Sequence, residues 1–462
     1  MESKMVDHAD QNKNIVFLNP PGKNLYLRDY YCSKISKSNY LNQPVDFMIL
    51  SGIVSERYNI RIIDAMVENL DDMECIKRIK EFNPFAIVFL AGAVSYTEDF
   101  IFLKKLKKQT DALLIGSGDI FIEIGQRILK QHPYVDACIL DFTTRDILDY
   151  LSDHDANNMI YRKNNNIIIG KRTIQKFEIP TPRHELFNNK RYTFPFMMHE
   201  PFATALISYG CPFRCDFCIM GTLGYKLRPL DTVIKELKYI KSLGIQEVYF
   251  SDQTFGINKK ETEKLLKKMI PLKISWSFFW RVDLANDHSV KLMKKAGCHT
   301  IMFGVESGNQ KILDDNHKGI TKEQIKTAFE LCRKYKIRTV GTFILGLPGD
   351  TEETINETID FAIQIRSDFA SFNTPVPRMG TRLRQTALAK GLVKDKDYDM
   401  DQSGNFVIMG NENLSAKEIK ILRDKAIKRF YLRPSYIFHR LIGMNSFADL
   451  KCHIRNAIGL LK

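Results

Sequence analysis

The chain has 462 residues, of which 44% are hydrophobic and 26% are charged. This length suggests two or three domains, and the composition excludes a mostly disordered chain. The formal net charge is +14, and the segment 415–462 carries eleven Lys and Arg against three Asp and Glu. No stretch reaches about 18 uninterrupted apolar residues, and the polar segment 1–14 lacks the apolar core of a secretory signal. We therefore expect a cytoplasmic protein with a disordered lead over 1–14. The basic residues are not interleaved with stacking aromatics, so no nucleic-acid partner is expected.

Residues 15–151 alternate short apolar runs with helical patterns. The runs predict five strands, at 15–18, 60–63, 86–90, 112–115 and 136–140. Helical patterns follow the first three strands, at 47–58, 73–81 and 97–108, and a further one follows the fifth strand up to 151. This alternation predicts an α/β domain with a doubly wound, Rossmann-like parallel sheet. Ligands of such sheets bind beyond the carboxyl ends of the strands, so the loops after Leu18, Ile63, Leu90 and Ile115 form the candidate binding rim.

The polar segment 152–195 is expected to be a linker, and its run 163–166 has the pattern of a hairpin or a linker. A second α/β series then predicts six strands, at 203–208, 247–252, 275–279, 300–304, 339–345 and 370–374. Helices fit between them, at 229–243, 259–269, 287–296, 321–335 and 351–365. Six strand–helix units fall short of the eight of a closed barrel, so residues 196–390 are expected to form a partial (β/α)6 barrel. Residues 391–462 are expected to form a basic, helical C-terminal segment.

Three cysteines, Cys211, Cys215 and Cys218, lie close together just after the first strand of the second series. The loop at the carboxyl end of a barrel strand is where the active sites of barrels are built. A zinc ribbon needs a second cysteine pair and a fourth ligand nearby, and the sequence has neither. Three thiolates without a fourth fit an iron–sulfur cluster with one open iron, which can bind and reduce a small molecule. The other cysteines are scattered singly and are predicted to be buried.

The C-x3-C-x2-C spacing resembles the signature of the radical SAM superfamily. Phe217 directly before Cys218 matches the family pattern, and further family-like segments follow in order at 249–255, 280–283, 303–308 and 341–349. The resemblance implies that the three cysteines ligate a 4Fe–4S cluster and that the fourth iron chelates S-adenosylmethionine. One electron would then cleave a carbon–sulfur bond and release a 5′-deoxyadenosyl radical. The cofactor carries this chemistry, while the protein positions it and excludes water.

The resemblance also implies contacts to S-adenosylmethionine. The backbone of Phe217 would meet the adenine, and Gly346 would let the backbone approach the adenine closely. Glu306 and Ser307 would contact the ribose or the amino group. The alternative for Glu306 is an ordinary acidic residue at a helix N-terminus.

Two further residues are implied near the methionine part of the cofactor. Arg281 suits the methionine carboxylate because its planar fork matches a carboxylate, and Asp252 ends the second barrel strand where the family often has an acidic residue. The structural alternatives are that Asp252 caps a turn and that Arg281 and Asp283 form an ion pair in the barrel mouth.

An α/β domain before a radical SAM barrel resembles the cobalamin-binding subclass, in which that domain holds cobalamin against the barrel. The cobalamin contacts that this resemblance implies are Asn19, Pro20, Gly92, Ser95, Gly116 and Gly118. The chain departs from the subclass in the loop Gly116–Asp119 and after the fifth strand, at 141–145. It also has no Asp-x-His-x-x-Gly motif for a histidine ligand to cobalt. The alternative to cobalamin binding is a degenerate scaffold domain.

The chemistry that this resemblance favours is methylation of an unactivated carbon, with cyclisation, rearrangement or oxidation as alternatives. A methylthiotransferase would need a second group of three cysteines, which the sequence lacks. A non-enzymatic iron–sulfur sensor would not need Arg281, Glu306 or the glycine-rich strand at 341–349. The expected partners are a small-molecule or lipid-like substrate and an electron donor such as flavodoxin or ferredoxin. Residues 415–429 have the spacing of a helix, which either docks on the inner face of an anionic membrane or packs on the barrel.

Overall fold

The computed structural model describes residues 13–29, 34–36, 40–404 and 406–442. The strands of its N-terminal part are β1 (Asn14–Asn19), β2 (Tyr26–Leu27), β3 (Lys34–Ile35), β4 (Asn59–Asp64), β5 (Ala86–Leu90), β6 (Leu113–Ser117), β7 (Ala137–Ile139), β8 (Met159–Lys163) and β9 (Asn166–Ile169). Its helices are α1 (Val45–Val54), α2 (Ala65–Glu68), α3 (Asp72–Phe82), α4 (Tyr96–Lys107), α5 (Phe121–Gln131) and α6 (Asp146–Asp153). These elements include the five predicted strands and confirm the Rossmann-like expectation.

Seven strands of this part form one sheet, in the order β4-β1-β5-β6-β7-β8-β9. The first five are parallel, and β1 and β5 are buried along almost their whole length because helices cover both faces. Strands β8 and β9 add an antiparallel hairpin to the edge, turning at Asn164 and Asn165, which adopt left-handed φ values of 51° and 64°. The sheet therefore reaches Ile169, and the segment expected as a linker from 152 begins as part of the N-terminal domain.

The second part holds β10 (Phe202–Ala205), β11 (Ser208–Tyr209), β12 (Lys226–Leu227), β13 (Glu247–Phe250), β14 (Ser275–Trp280), β15 (Cys298–Glu306), β16 (Arg338–Ile344) and β17 (Phe369–Asn373). Its helices are α7 (Leu230–Ser242), α8 (Lys259–Met269), α9 (Asp287–Lys295), α10 (Gln310–Asp315), α11 (Lys322–Lys334) and α12 (Glu352–Gln364). Six of the strands are parallel, in the order β10-β13-β14-β15-β16-β17. The predicted open, six-stranded partial barrel is confirmed.

Aromatic residues of the connecting segment fill the amino-terminal end of this barrel. The ring of Phe194 stacks on Tyr249 with centroids 4.6 Å apart, and Phe196 packs against Phe369 at 5.2 Å. The carbonyl of Phe196 also accepts a hydrogen bond of 2.8 Å from Arg338 Nη2. The barrel is thus closed at its amino-terminal end, which leaves the carboxyl ends of the strands as the place for a site.

The C-terminal helices are α13 (Arg382–Ala389), α14 (Ala416–Tyr431) and α15 (Pro434–Ile442). The apolar face of α14, which includes Ile419, Leu422, Ala426 and Phe430, is buried in the barrel core. The structure thus supports the packed alternative for 415–429, while residues 443–462 of the basic segment lie outside the described part. None of the helices in the described part is both long and apolar enough to cross a membrane.

The carboxyl edges of the two sheets face each other. Lys226 Nζ, in the barrel mouth, lies 2.5 Å from Asp141 Oδ2, which follows β7, and the ring of Phe142 packs edge-on against Tyr209. Residues 376–404, which we call the return segment, come back from the barrel onto the rim of the N-terminal sheet. There Arg378 pairs with Asp119 at 3.0 Å in a buried ion pair. The two candidate cofactor surfaces therefore lie on opposite sides of one interface.

Candidate active site at the barrel mouth

The cysteine loop, residues 211–218, starts directly after β11 and is closed by the antiparallel pairing of β11 with β12. At its start, Gly210 adopts a φ of 74°, and a Cβ atom there would lie 1.4 Å from the carbonyl oxygen of Gly224. Only glycine tolerates this combination of left-handed backbone and close approach. Inside the loop, Cys211 N–H donates to the Met220 carbonyl at 3.1 Å. These contacts hold the start of the loop against the residues that follow it.

The three thiols lie close enough to affect one another electrostatically. Cys211 is buried, and Cys215 and Cys218 are half-buried. Burial, together with the smaller effect of the neighbouring Cys215 and Cys211, raises the pKa of Cys218 to about 12. Burial also raises the pKa of Cys215. A group of positive iron ions would offset this mutual repulsion of thiolates, so the donor set fits an iron–sulfur cluster. Among the described residues no three His, Cys, Asp or Glu side chains form a site for a single metal ion.

Arg281 lies beside the cysteine loop and is almost entirely buried. Its guanidinium stacks 3.6 Å from the centroid of the Phe213 ring and donates from Nε and Nη2 to the two carboxylate oxygens of Asp283, at 3.0 and 3.2 Å. The remaining nitrogen, Nη1, lies 4.0 Å from Cys215 Sγ. The ion pair that the sequence left as the structural alternative is therefore formed. The contact of Arg281 with the methionine carboxylate stays a prediction.

Glu306 is at the end of β15, where the pairing with β16 shifts register. Its φ of 67° is unusual for a residue with a side chain, and such conformations concentrate at functional sites. Glu306 Oε1 accepts a hydrogen bond of 2.7 Å from Lys318 Nζ, and both side chains are buried. A Cβ atom on Gly304 would lie 2.6 Å from Glu306 Oε1 and 2.9 Å from Lys318 Nζ, so glycine leaves the room for this pair.

Lys318 is a site residue that sequence reasoning missed. It follows α10 in the segment Asn316-His-Lys-Gly319, in a chain with many exposed lysines. The signal that distinguishes it is burial beside two cysteines, which only the folded chain reveals, because lysine is seldom buried without a partner. The short sequence Lys318-Gly319 after a helix carries no such signal.

The other residues expected near S-adenosylmethionine have clear structural contacts. Asp252 is fully buried and accepts hydrogen bonds from the N–H groups of Ile207 and Ser208 and from the Ser208 hydroxyl. Burial raises the pKa of Asp252 to about 6. Ser307 Oγ lies 3.1 Å from the Thr358 hydroxyl of α12. Asp252 and Ser307 thus stabilise the barrel mouth through these hydrogen bonds. Their contacts with S-adenosylmethionine stay predictions.

Phe217 and Gly346 pack against C-terminal elements. Phe217 is half-buried against Leu383 and Ala387 of α13. Gly346 lies against Ile419 of α14, and a Cβ atom there would come within 2.6 Å of that side chain. The close approach that requires glycine is therefore to α14. Whether the same backbone also meets the adenine stays a prediction.

The residues expected to contact cobalamin lie together at the rim of the N-terminal sheet, and most of their polar groups are bonded to other protein groups. Arg28 is buried there and donates to Asn19 Oδ1 at 2.9 Å and to the Pro20 carbonyl at 2.8 Å. Asp99 accepts from Ser95 Oγ at 2.8 Å and pairs with Arg28. The Gly92 N–H donates to the same carboxylate at 3.4 Å.

Gly116 and Gly118 lie at the same rim, after β6. A Cβ atom on Gly116 would come within 2.2 Å of the Phe121 ring, and one on Gly118 within 1.9 Å of the Ala91 carbonyl oxygen. The two glycines thus allow neighbouring groups to approach the backbone closely at this rim. The side that faces the barrel is formed by the loops after β5, β6 and β7.

These observations define a class of enzyme: a partial barrel with a three-cysteine loop at its mouth, preceded by a Rossmann-like domain. The profile of the Radical SAM superfamily matches residues 206–362. An uncharacterized methyltransferase from Pyrococcus horikoshii is 30% identical over 437 residues, covering 91% of this chain and 93% of the relative. The chain belongs to the radical SAM superfamily. Its cofactors as a member are a 4Fe–4S cluster and S-adenosylmethionine.

The fold comparison extends over both domains. The methyltransferase TsrM from Kitasatospora setae, in a structure with cobalamin and a 4Fe–4S cluster, aligns with a TM-score of 0.69 at 13% identity, covering 92% of this chain and 89% of that one. The enzyme OxsB, in a structure with aqua-cobalamin and S-adenosylmethionine, also aligns at 0.69, with 15% identity, covering 97% and 72%. An anaerobic magnesium-protoporphyrin IX monomethyl ester cyclase from Cereibacter sphaeroides is 25% identical, covering 82% of this chain and 64% of the cyclase. The two-domain fold is thus that of cobalamin-dependent radical SAM enzymes.

Proposed function

We propose that this radical SAM enzyme binds cobalamin on the rim of its N-terminal sheet and methylates an unactivated carbon of a small molecule. The observation that carries the proposal is that the carboxyl edges of the two sheets face each other. The cysteine loop lies on one side of this interface, and the loops that contain Gly92 and Gly118 lie on the other. Activation of a substrate with S-adenosylmethionine and its methylation from cobalamin would require both cofactors to reach the same substrate, and a shared interface provides that geometry.

Two further observations support the proposal. The fold is shared, over nearly the whole chain, with two proteins whose structures contain cobalamin. A relative whose similarity covers 91% of this chain is named a methyltransferase. The rim departs from the usual subclass pattern at Gly116–Asp119, and there Asp119 is engaged by Arg378 of the return segment. The return segment is therefore part of the surface on which cobalamin would lie.

The residues of the chain have separable tasks in this scheme. Cys211, Cys215 and Cys218 hold the cluster, and the pairing of β11 with β12 fixes their loop. When bound, the cluster supplies the electron that cleaves S-adenosylmethionine, and cobalamin carries the methyl group. The aromatic residues Phe194 and Phe196 close the far end of the barrel, which keeps water from entering behind the substrate.

The proposal is tested by anaerobic purification with hydroxocobalamin supplied, followed by quantification of iron, sulfide and cobalt. We expect about four irons and one cobalt per chain. The variants C211A, C215A and C218A should lose iron, whereas C298A, which removes a buried cysteine on β15, should keep it. Iron without cobalt in a folded protein would contradict the cobalamin proposal.

The transfer itself is tested with S-adenosylmethionine labelled in its methyl group, incubated with the reduced enzyme and a small-molecule extract. Label in a carbon–methyl product, lost in C215A and kept in C298A, is the expected result. Cleavage to 5′-deoxyadenosine without label in any product would favour rearrangement or cyclisation over methylation. The flavodoxin or ferredoxin donor and the peripheral membrane contact stay predictions.

A further inference from the structure

Two ion pairs whose cations are buried lie next to the cysteine loop. In one, Arg281 is paired with Asp283, and in the other, Lys318 is paired with Glu306. Arg281 Nη1 lies 4.0 Å from Cys215 Sγ, whereas the Asp283 carboxylate is bonded to the other two nitrogens, Nε and Nη2. Arg281 therefore presents a nitrogen to the thiols, and the Lys318 carbonyl, which accepts from Arg281 Nη2 at 3.1 Å, places Lys318 beside the same loop.

Backbone contacts hold this arrangement in place. Arg281 Nη2 donates to the carbonyls of Lys318 and Gly319, at 3.1 and 3.3 Å, which links the end of β14 to the loop after α10. That loop is also docked on the cysteine loop, because the Asp216 N–H donates to the Asn316 carbonyl at 3.2 Å. Hydrogen bonds to the backbone carbonyls of Asn316, Lys318 and Gly319 thus hold Lys318 beside the cysteine loop.

Burial makes the two cations electrostatically effective. The Lys318 side chain is 8% exposed and that of Arg281 is 5% exposed, so solvent and salt screen them weakly. A 4Fe–4S cluster gains one negative charge when it accepts an electron. Nearby positive charge stabilises that reduced form, and net charge is one of the factors that set cluster potentials.

We propose that Lys318, oriented by Glu306 and assisted by Arg281, raises the reduction potential of the cluster held by Cys211, Cys215 and Cys218. Lys318 acts in this way as a positioning and electrostatic residue. The redox step is the transfer of one electron from an external reductant to the oxidised cluster, with no bond made or broken. The inference rests on the cluster that the superfamily carries and is independent of cobalamin and of methyl transfer.

The experiment is an anaerobic redox titration of the reconstituted enzyme with dithionite and mediators, followed by electron paramagnetic resonance. It is done without S-adenosylmethionine, cobalamin or substrate, so a failure of the proposed methylation does not affect the result. At a fixed potential, we expect about tenfold fewer reduced clusters in K318M than in the wild type. This corresponds to a shift of the reduction potential by about 59 mV to the negative side for a one-electron couple. K318R should keep most of the wild-type potential because the charge remains.

Lys311 provides the matched control. Its side chain is 79% exposed and pairs with Asp315 on α10, so K311M removes the same charge from a screened position. We expect K311M to leave the potential unchanged. E306Q removes the carboxylate behind Lys318 and should shift the potential in the opposite, positive direction.

Equal potentials in K318M and wild type would overturn the inference. It would also be overturned if E306Q shifted the potential in the same direction as K318M, because a general disturbance of the loop would then explain both. If K318M fails to hold iron, E306Q decides alone: a positive shift supports the inference, and no shift overturns it.

Discussion

Asp252 stabilises the entry to the cysteine loop through its hydrogen bonds. The carboxylate ends the segment after β13 and accepts three hydrogen bonds from Ile207 and Ser208, the residues that lead into the cysteine loop. All of these groups are buried, so water cannot replace a lost bond. The conformation of the loop start therefore depends on this carboxylate.

We predict that D252N lowers the free energy of unfolding by about 2 kcal/mol at neutral pH. One amide N–H of the new side chain faces a backbone N–H, which leaves a buried donor without an acceptor. Chemical denaturation followed by circular dichroism measures the loss. D231N, which changes an exposed carboxylate on α7, should behave as wild type, and equal losses in both variants would contradict the argument.

The same residue predicts a pH dependence. Burial raises the pKa of Asp252 to about 6, so the folded chain takes up a proton between about pH 6 and pH 4, where the unfolded chain remains ionised. The contribution of this group to stability therefore grows as the pH falls through that window, by up to about 1.4 kcal/mol per unit. This contribution to stability is lost as the pH rises through about 6. The stability difference between wild type and D252N should widen on acidification, and a constant difference would contradict this.

At the level of single residues, the sequence predicts the cysteine ligands of the cluster better than the residues that surround them. Cys211, Cys215 and Cys218 are recognisable because the chemistry requires those residues at a fixed local spacing. Lys318 is not recognisable, because its proximity to the thiols depends on the docking of one loop on another. The sequence also indicates Arg281 and its ion pair with Asp283, but the stacking of Arg281 on Phe213 depends on the three-dimensional arrangement.

Among the elements, the short hairpin of β11 and β12 decides whether the cysteine loop is preformed. Gly210 and Gly224 face each other across its base, and both have left-handed φ values, 74° and 77°. A Cβ atom on Gly210 would strike the Gly224 carbonyl, whereas one on Gly224 would have nothing within 4 Å. Substitution of these two glycines by alanine therefore separates the effect of backbone strain from that of a steric clash.

We predict that G210A destabilises the protein by about 3 kcal/mol or more and abolishes iron binding, because strain and clash add. G224A should cost about 1 kcal/mol, the strain alone, and keep its iron. Iron content after anaerobic reconstitution and unfolding by denaturant measure both effects. Equal iron content in the two variants would show that the base of the hairpin does not control the loop.

Helix and strand positions of the barrel follow closely from the local pattern. Helix α8 begins at Lys259, as predicted, because Asn258 accepts from the Glu261 N–H as an N-cap. The pairing of β8 and β9 with the N-terminal sheet does not follow, since Asn166, Ile168 and Ile169 are exposed and give no inward pattern. Local periodicity predicts which residues form an element, but the partner of an edge strand depends on tertiary contacts.

For the whole molecule, the decisive feature is the interface between the two carboxyl edges. Lys226 and Asp141 cross it, and Lys226 Nζ also donates to the Thr143 hydroxyl at 2.6 Å. Their side chains are 7% and 14% exposed. Removal of one partner leaves the other charge poorly hydrated, which is more costly than the loss of an exposed pair.

We predict that K226M lowers the free energy of unfolding by about 3 kcal/mol and separates the unfolding of the two domains. The double variant K226M/D141N should recover part of that loss, because no charge then remains unpaired. Thermal unfolding followed by limited proteolysis distinguishes joint from separate unfolding. Additive effects of the two substitutions would show that the pair does not couple the domains.

The return segment has a consequence for the order of events during synthesis. The N-terminal sheet is complete at Ile169, but Arg378 and Met400, which bond Asp119 and the Ala93 carbonyl at its rim, follow about two hundred residues later. At translation rates of about 5–20 residues per second, that interval lasts roughly 10 to 40 seconds. During this time the nascent domain presents a rim that the finished chain covers. A bulky cofactor thus has a route to its surface on the ribosome that requires no opening of the mature enzyme.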